Sequence, residues 1–147
     1  MDLMQLSDLL NNDNREIDFS KTRIKVTNFM DNQYQQLKYL ANTSPLQSVS
    51  YDNVRVKTSQ SNSIEDKTIR QLQAKEYVRI IDDCINSLDK IQATVFKGKI
   101  IQHLPGYKLE ELTGYMHTRL HHYYNVSCVE FAKKLSLVTD IDLIVYK

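Results

Sequence analysis

The chain has 147 residues, is 41% hydrophobic and 25% charged, and carries a formal net charge of +1. That length fits one domain, or a small domain with a helical arm, and the composition excludes a disordered or collagen-like chain. A near-neutral total also argues against a protein that coats nucleic acid by charge alone.

The charge is unevenly placed. From Lys90 onward there are eight Lys or Arg, five acids and all four His, so the C-terminal third is the basic end. With three Gly and two Pro in the whole chain, long uninterrupted helices are permitted. Cys84 and Cys128 lack a Cys-x-x-Cys partner and read as buried free thiols of a cytoplasmic protein. Met1-Asp2-Leu3-Met4 has neither a basic start nor an apolar core, so no secretory signal is expected. No apolar run reaches the ~20 residues of a membrane span, so no membrane partner is expected.

Leu3, Leu6, Leu9 and Leu10 form an amphipathic turn or two, expected to dock on the chain's own domain, before the polar break Asn11-Asn12-Asp13-Asn14. Asp18-Phe19-Ser20 then opens a helix, with Asp18 or Ser20 capping its free N–H groups. Ile24, Val26, Phe29, Met30, Tyr34, Leu37, Leu40 and Ala41 give that helix one apolar stripe. It should end near Asn42, ahead of Ser44-Pro45. Thr43 to Ser63 is rich in Ser, Asn, Gln and Thr. A loop of about 20 residues is uncommon inside one compact core. The expected organisation is therefore a separate N-terminal helical arm (1–42), a linker (43–62) and a helical domain (63–147).

Ser63 reads as the cap of the longest helix, with Glu65 and Asp66 placed where the helix dipole favours acids. Ile69, Leu72, Tyr77, Ile80, Ile81, Cys84, Ile85 and Leu88 keep helical spacing along it. A new cap near Asp89 begins the next helix, which carries Ile91, Val95, Phe96, Ile100, Ile101 and Leu104 and closes at Pro105-Gly106. Tyr107 to Thr113 reads as a two-turn helix with Leu109 and Leu112 inward. Gly114 turns the chain. A final long helix from His117 to Leu135 faces the core with Leu120, Tyr123, Phe131 and Leu135, and leaves Tyr124 exposed or at a contact. Three fates are open to the apolar, β-branched tail Ile141 to Tyr146: a strand, a docked end or a dimer contact. The fold class is all-α, ending in a C-terminal helix-turn-helix over residues 107–136.

A helix, a turn with Gly, and a second helix with a polar face is how a DNA-reading helix-turn-helix is written. A recognition helix offers its first turns to the major groove, and residues there must exchange hydrogen bonds with base edges. With Leu120 and Tyr123 inward, His117, Thr118, His121, His122 and Asn125 fall outward. Asn125 has the amide needed to pair with adenine, and Arg119 can pair with guanine or hold a phosphate. Lys108, Lys133 and Lys134 sit where rim contacts to phosphates would position the protein. The plainer alternative is a helical hairpin with a solvated outer face. His117 and His121 are four residues apart, but neither the acid after the first His nor a third and fourth ligand is present, so no metal is expected. Asp82-Asp83 and Glu110-Glu111 are neighbours that cannot face each other on a helix. With no phosphate loop and no nucleophile motif, no catalytic residue, no cofactor and no enzyme activity are expected.

Two segments resemble the ArpU-type late transcriptional regulators of phages of Gram-positive bacteria. One runs from Asp18-Phe19-Ser20-Lys21-Thr22-Arg23 through Phe29, Tyr34, Leu37 and Leu40-Ala41, similar to the family's N-terminal helix. The other runs from Gly114-Tyr115 to Tyr123 and on to Glu130-Phe131-Ala132, similar to its closing helix-turn-helix. The resemblance implies a unit like sigma-factor region four. It also implies a sequence-specific activator of late phage or mobile-element genes, with double-stranded promoter DNA and host RNA polymerase as partners. On the matching positions it implies DNA contacts at His117, Thr118, Arg119, His121, His122 and Asn125. Met116 stands where the family often has a capping Ser, so His117 or Thr118 is expected to cap instead. A homo-oligomer is expected too, because paired half-sites multiply the limited specificity of one unit. The competing expectation is a protein-interaction module or adaptor from a mobile element that does not bind DNA.

Overall fold

A computed structural model describes residues 15–43 and 58–147. They form an all-α fold in six helices. These are α1 (Phe19–Asp31), α2 (Gln33–Asn42), α3 (Thr58–Asn86), α4 (Lys90–Phe96), α5 (Gly106–Thr113) and α6 (His117–Val138). A π-helical segment (Lys97–Ile101) extends α4. No helix among the described residues is long and apolar enough to cross a membrane. The expected Leu3–Leu10 element and most of the linker lie outside the described residues.

The chain enters α1 through Asp18, whose carboxylate accepts the Lys21 N–H at 2.9 Å. Of the two expected caps, Asp18 and Ser20, it is Asp18 that serves. The single helix expected over 19–42 is instead two. Asn32 breaks it, with φ −117° and ψ −73°, and its side-chain amide donates to the Asn28 carbonyl at 2.9 Å. The kink lets Val26, Phe29 and Met30 of α1 and Tyr34 of α2 enter one core. α3 starts at Thr58 rather than at Ser63, so Ser63 lies inside the helix and does not begin it.

That core corrects the expected organisation. Val26, Phe29 and Met30 belong to the same buried cluster as Ile81, Ile85, Val95, Phe96, Phe131 and Leu135. α1 packs along α6 and α2 along α3, so residues 19–42 are part of the bundle and not a separate arm. The reason is burial. An isolated α1–α2 pair would leave its apolar stripe in water, and each large side chain removed from water contributes about 1.5–3 kcal/mol. Specific polar contacts fix the same packing. The Tyr34 hydroxyl donates to Asp82 at 2.6 Å across α2 and α3. Burial first, and then this bond to a carboxylate, raises the Tyr34 hydroxyl well above an ordinary phenol. Cys84 and Cys128 are both buried and free.

Of the three fates open to the tail, a docked end is the one adopted. Leu143 enters the core, and Ile17 and Tyr146 form an isolated antiparallel bridge. Asp18 donates its N–H to Val145 O at 2.8 Å, and Lys147 donates its N–H to Glu16 O at 2.9 Å. Thr22 is fully buried. Its hydroxyl accepts the Val145 N–H at 3.0 Å and donates to Val145 O at 3.3 Å, which satisfies a hydroxyl that would otherwise be costly to bury.

Candidate nucleic-acid interface

The turn between α5 and α6 is fixed from both sides. Leu109, the buried residue of α5, seats directly on Gly98 of the π-helical segment. A Cβ on Gly98 would come within 2.5 Å of Leu109 Cδ2, so only glycine lets the two elements meet this closely. Thr113 Oγ1 donates to Leu109 O at 2.7 Å and accepts the Tyr115 N–H at 3.2 Å. Gly114 takes φ +77° as the left-handed C-cap of α5, and its N–H reaches Glu110 O at 2.8 Å. Glycine adopts that conformation without the steric cost a side chain brings.

α6 then begins at Met116, which occupies the N-cap position with no side-chain cap. The expected capping by His117 or Thr118 is therefore corrected: both lie inside the helix, and Thr118 Oγ1 sits 3.5 Å from His117 Nε2. The Leu120 N–H closes the first turn on Met116 O at 3.0 Å. Without a side-chain cap, the leading N–H groups of the helix are left to solvent or to a ligand.

Five of the eight expected contact residues, His117, Thr118, Arg119, His121 and His122, are exposed together on the first two turns of α6. Leu120, between them, is buried and pins this end to the core. Lys108 is exposed on α5, 3.9 Å from Glu111, and Lys133 lies 3.7 Å from Glu130, about three turns beyond the exposed group. Such exposed pairs are weak and easily exchanged for a phosphate.

Asn125 departs from expectation. It is half-buried, and its Oδ1 is enclosed without a hydrogen-bond partner. It lies on the side of α6 that Cys128 and Ala132 bury, and an enclosed carbonyl cannot accept from an adenine edge. The Tyr123–Tyr124 pair is reversed as well. Tyr124 is the buried member, its hydroxyl 2.7 Å from Thr27 Oγ1 on α1, while Tyr123 is half-buried against the edge of the core. Leu112, expected inward, is 65% exposed. Among the described residues no three His, Cys, Asp or Glu side chains converge to hold a metal ion.

Tyr115 has a place in the site that the pattern reading passed over. Arg119 Cζ lies 5.1 Å from the centroid of its ring. The rings of Tyr115 and Tyr123 are 5.4 Å apart, and those of Tyr123 and His122 are 5.8 Å apart. The signal was partial: Arg119 and Tyr123 are four apart inside α6 and share one helical face, whereas Tyr115 lies in the turn before the helix and meets them only because of the way Gly114 turns the chain. From Leu112 to Val129 the chain has no Asp or Glu, so this surface offers Arg, imidazoles and hydroxyls with no carboxylate from its own stretch of chain. No protein-family model, curated protein or solved structure matches the chain.

Proposed function

We propose that this chain is a sequence-specific DNA-binding transcriptional regulator that places the first two turns of α6 in the major groove of duplex DNA. The supporting observation is the group His117, Thr118, Arg119, His121 and His122, exposed around a buried Leu120 at the end of a rigid glycine turn. Hydroxyl and imidazole groups can meet base edges, and Arg119 can take a guanine or a phosphate. Lys108 and Lys133 at the rim can position the helix through phosphates. The uncapped start of α6 adds N–H groups and a positive helix end that favour an anion. Binding without catalysis is part of this reading. The resemblance to the phage late regulators extends it to activation of late phage or mobile-element genes with host RNA polymerase. Paired half-sites would need a homo-oligomer, and a monomer by light scattering at micromolar concentration counts against that extension.

The test is recovery of bound fragments from the source genome by the purified protein. A common sequence should be enriched, and His121→Ala should lower the preference for it over random DNA. Lys108→Ala should weaken binding to all sequences alike and reduce the salt slope by about one phosphate. A variant of His121 that discriminates like the wild type would show that α6 is not the reading element.

A second reading, a protein-interaction module or adaptor with no DNA role, is favoured by the 70% exposure of Met116 and 65% exposure of Leu112 beside the turn. An apolar groove lined by Phe29, Leu37, Leu40, Tyr77 and Ile141 points the same way. It predicts no shift of any duplex and a tight complex with a protein.

A further inference from the structure

We infer that Tyr115 and Tyr123 are positioning residues that hold the Arg119 guanidinium ready for the DNA backbone. This rests on the DNA-binding reading above. An exposed arginine normally either pairs with a carboxylate or moves freely. Arg119 has a third kind of partner in the fold. Among the described residues no carboxylate pairs with it, and the nearest acids in the chain, Glu111 and Glu130, face Lys108 and Lys133. Its guanidinium instead lies over the Tyr115 ring at 5.1 Å. Tyr115 is itself half-buried and braced by Tyr123 at 5.4 Å, and both rings pack on the core. The Tyr115 backbone is tied to Thr113, one residue before the left-handed glycine. The platform is therefore part of the turn, and it reaches Arg119 one helical turn later.

The physical consequence is pre-organisation. A free arginine loses rotamer entropy when it clamps a phosphate, whereas a stacked one has lost much of it already. Stacking engages the flat face of the guanidinium and leaves its edge N–H groups for a phosphate oxygen. Arg119 thus acts as a fixed backbone anchor, and base reading is left to His117, Thr118, His121 and His122 beside it.

The experiment measures binding of sheared genomic duplex DNA by the full chain over a range of salt concentrations. Wild type, Tyr115→Phe, Tyr115→Leu, Arg119→Ala and the Tyr115→Leu/Arg119→Ala double variant are compared. Tyr115→Phe keeps the ring and should bind like the wild type. Arg119→Ala should weaken binding about tenfold and lower the salt slope by about 0.9. Tyr115→Leu should weaken binding by a similar or smaller factor, and should add nothing once Arg119 is gone. Melting curves establish that each variant is folded. Tyr115→Leu weakening binding equally with and without Arg119 would reduce Tyr115 to a structural role and overturn the inference, as would wild-type binding by Arg119→Ala. A wild type that binds no duplex at any salt concentration overturns the DNA reading itself, and this inference with it.

Discussion

The two ends of α6 share one helix but occupy different surroundings. From Tyr124 to Leu135 the helix is flanked by α1 and α4, and Tyr124, Cys128, Phe131, Ala132 and Leu135 join the core. From His117 to His122 only Leu120 is buried. His117, His121, Cys128 and Ala132 follow one another along the same side of the helix, yet the first two are exposed and the last two are fully enclosed. A stripe that changes from imidazole to thiol and methyl therefore marks where the helix enters the bundle. The lesson is that periodicity locates the side of a helix, while the change of residue type along that side locates the edge of the core. His117 and His121 were expected outward by opposition to Leu120 and Tyr123. They are exposed although they lie on the side of α6 that Cys128 and Ala132 bury.

Substitutions should separate the two ends sharply. Phe131→Ala, which removes a fully buried ring tilted against Phe96 at 4.9 Å, should cost about 3–5 kcal/mol in chemical denaturation.

Alkaline pH should act on the buried end as well. Burial pushes the Cys128 thiol up to about 12, against a smaller opposing pull from the Arg23 charge. In the unfolded chain the thiol ionises several pH units lower. Its contribution to stability is therefore complete below the unfolded value and is lost as pH rises toward 12. The loss is about 1.4 kcal/mol per pH unit once the unfolded thiol is ionised. Tyr34, Tyr124 and Cys84 are shifted in the same direction by burial. Denaturation measured from neutral pH upward should show the decline, and Cys128→Ala should make it shallower.

Gly114→Ala probes the junction. Nothing lies within 4 Å of the position its Cβ would take, and φ is +77°, so the cost is that of the backbone conformation alone, about 1 kcal/mol by thermal melting. At the exposed end, His121→Ala and His122→Ala should change stability by no more than about 0.5 kcal/mol. A larger loss at either histidine would mean that this end is packed, and the contrast between the two ends would fail.

Much of the fold was legible in local chemistry. Asp18 caps where its side chain predicts, Gly114 turns where a helix needs a left-handed residue, and Leu120, Phe131 and Leu135 are buried as their spacing requires. What was not legible depends on partners distant in the chain. The break at Asn32 has neither Pro nor Gly to announce it. The need for Gly98 exists only because Leu109 arrives from another helix. The long polar stretch after Asn42 suggested a detached arm, but the stripe of α1 finds its cover on α6. At the site, His117, Thr118, His121 and His122 were placed outward by type and spacing and are exposed; Arg119, also exposed, was an outward position only through the resemblance. Tyr123 and Tyr124 exchanged roles because neighbours on a helix differ by about 100° in direction, and apolar character alone does not choose between two tyrosines. Asn125 is enclosed and His121 exposed because the edge of the core falls between them.

The most direct test of the account is amide chemical-shift mapping of the protein as duplex DNA recovered from the source genome is added. Shifts concentrated in residues 114–122, with the buried stretch from Tyr124 to Leu135 little changed, are the predicted result. Shifts confined to the groove around Leu37, Leu40 and Tyr77, or no shifts at any DNA concentration, would contradict it.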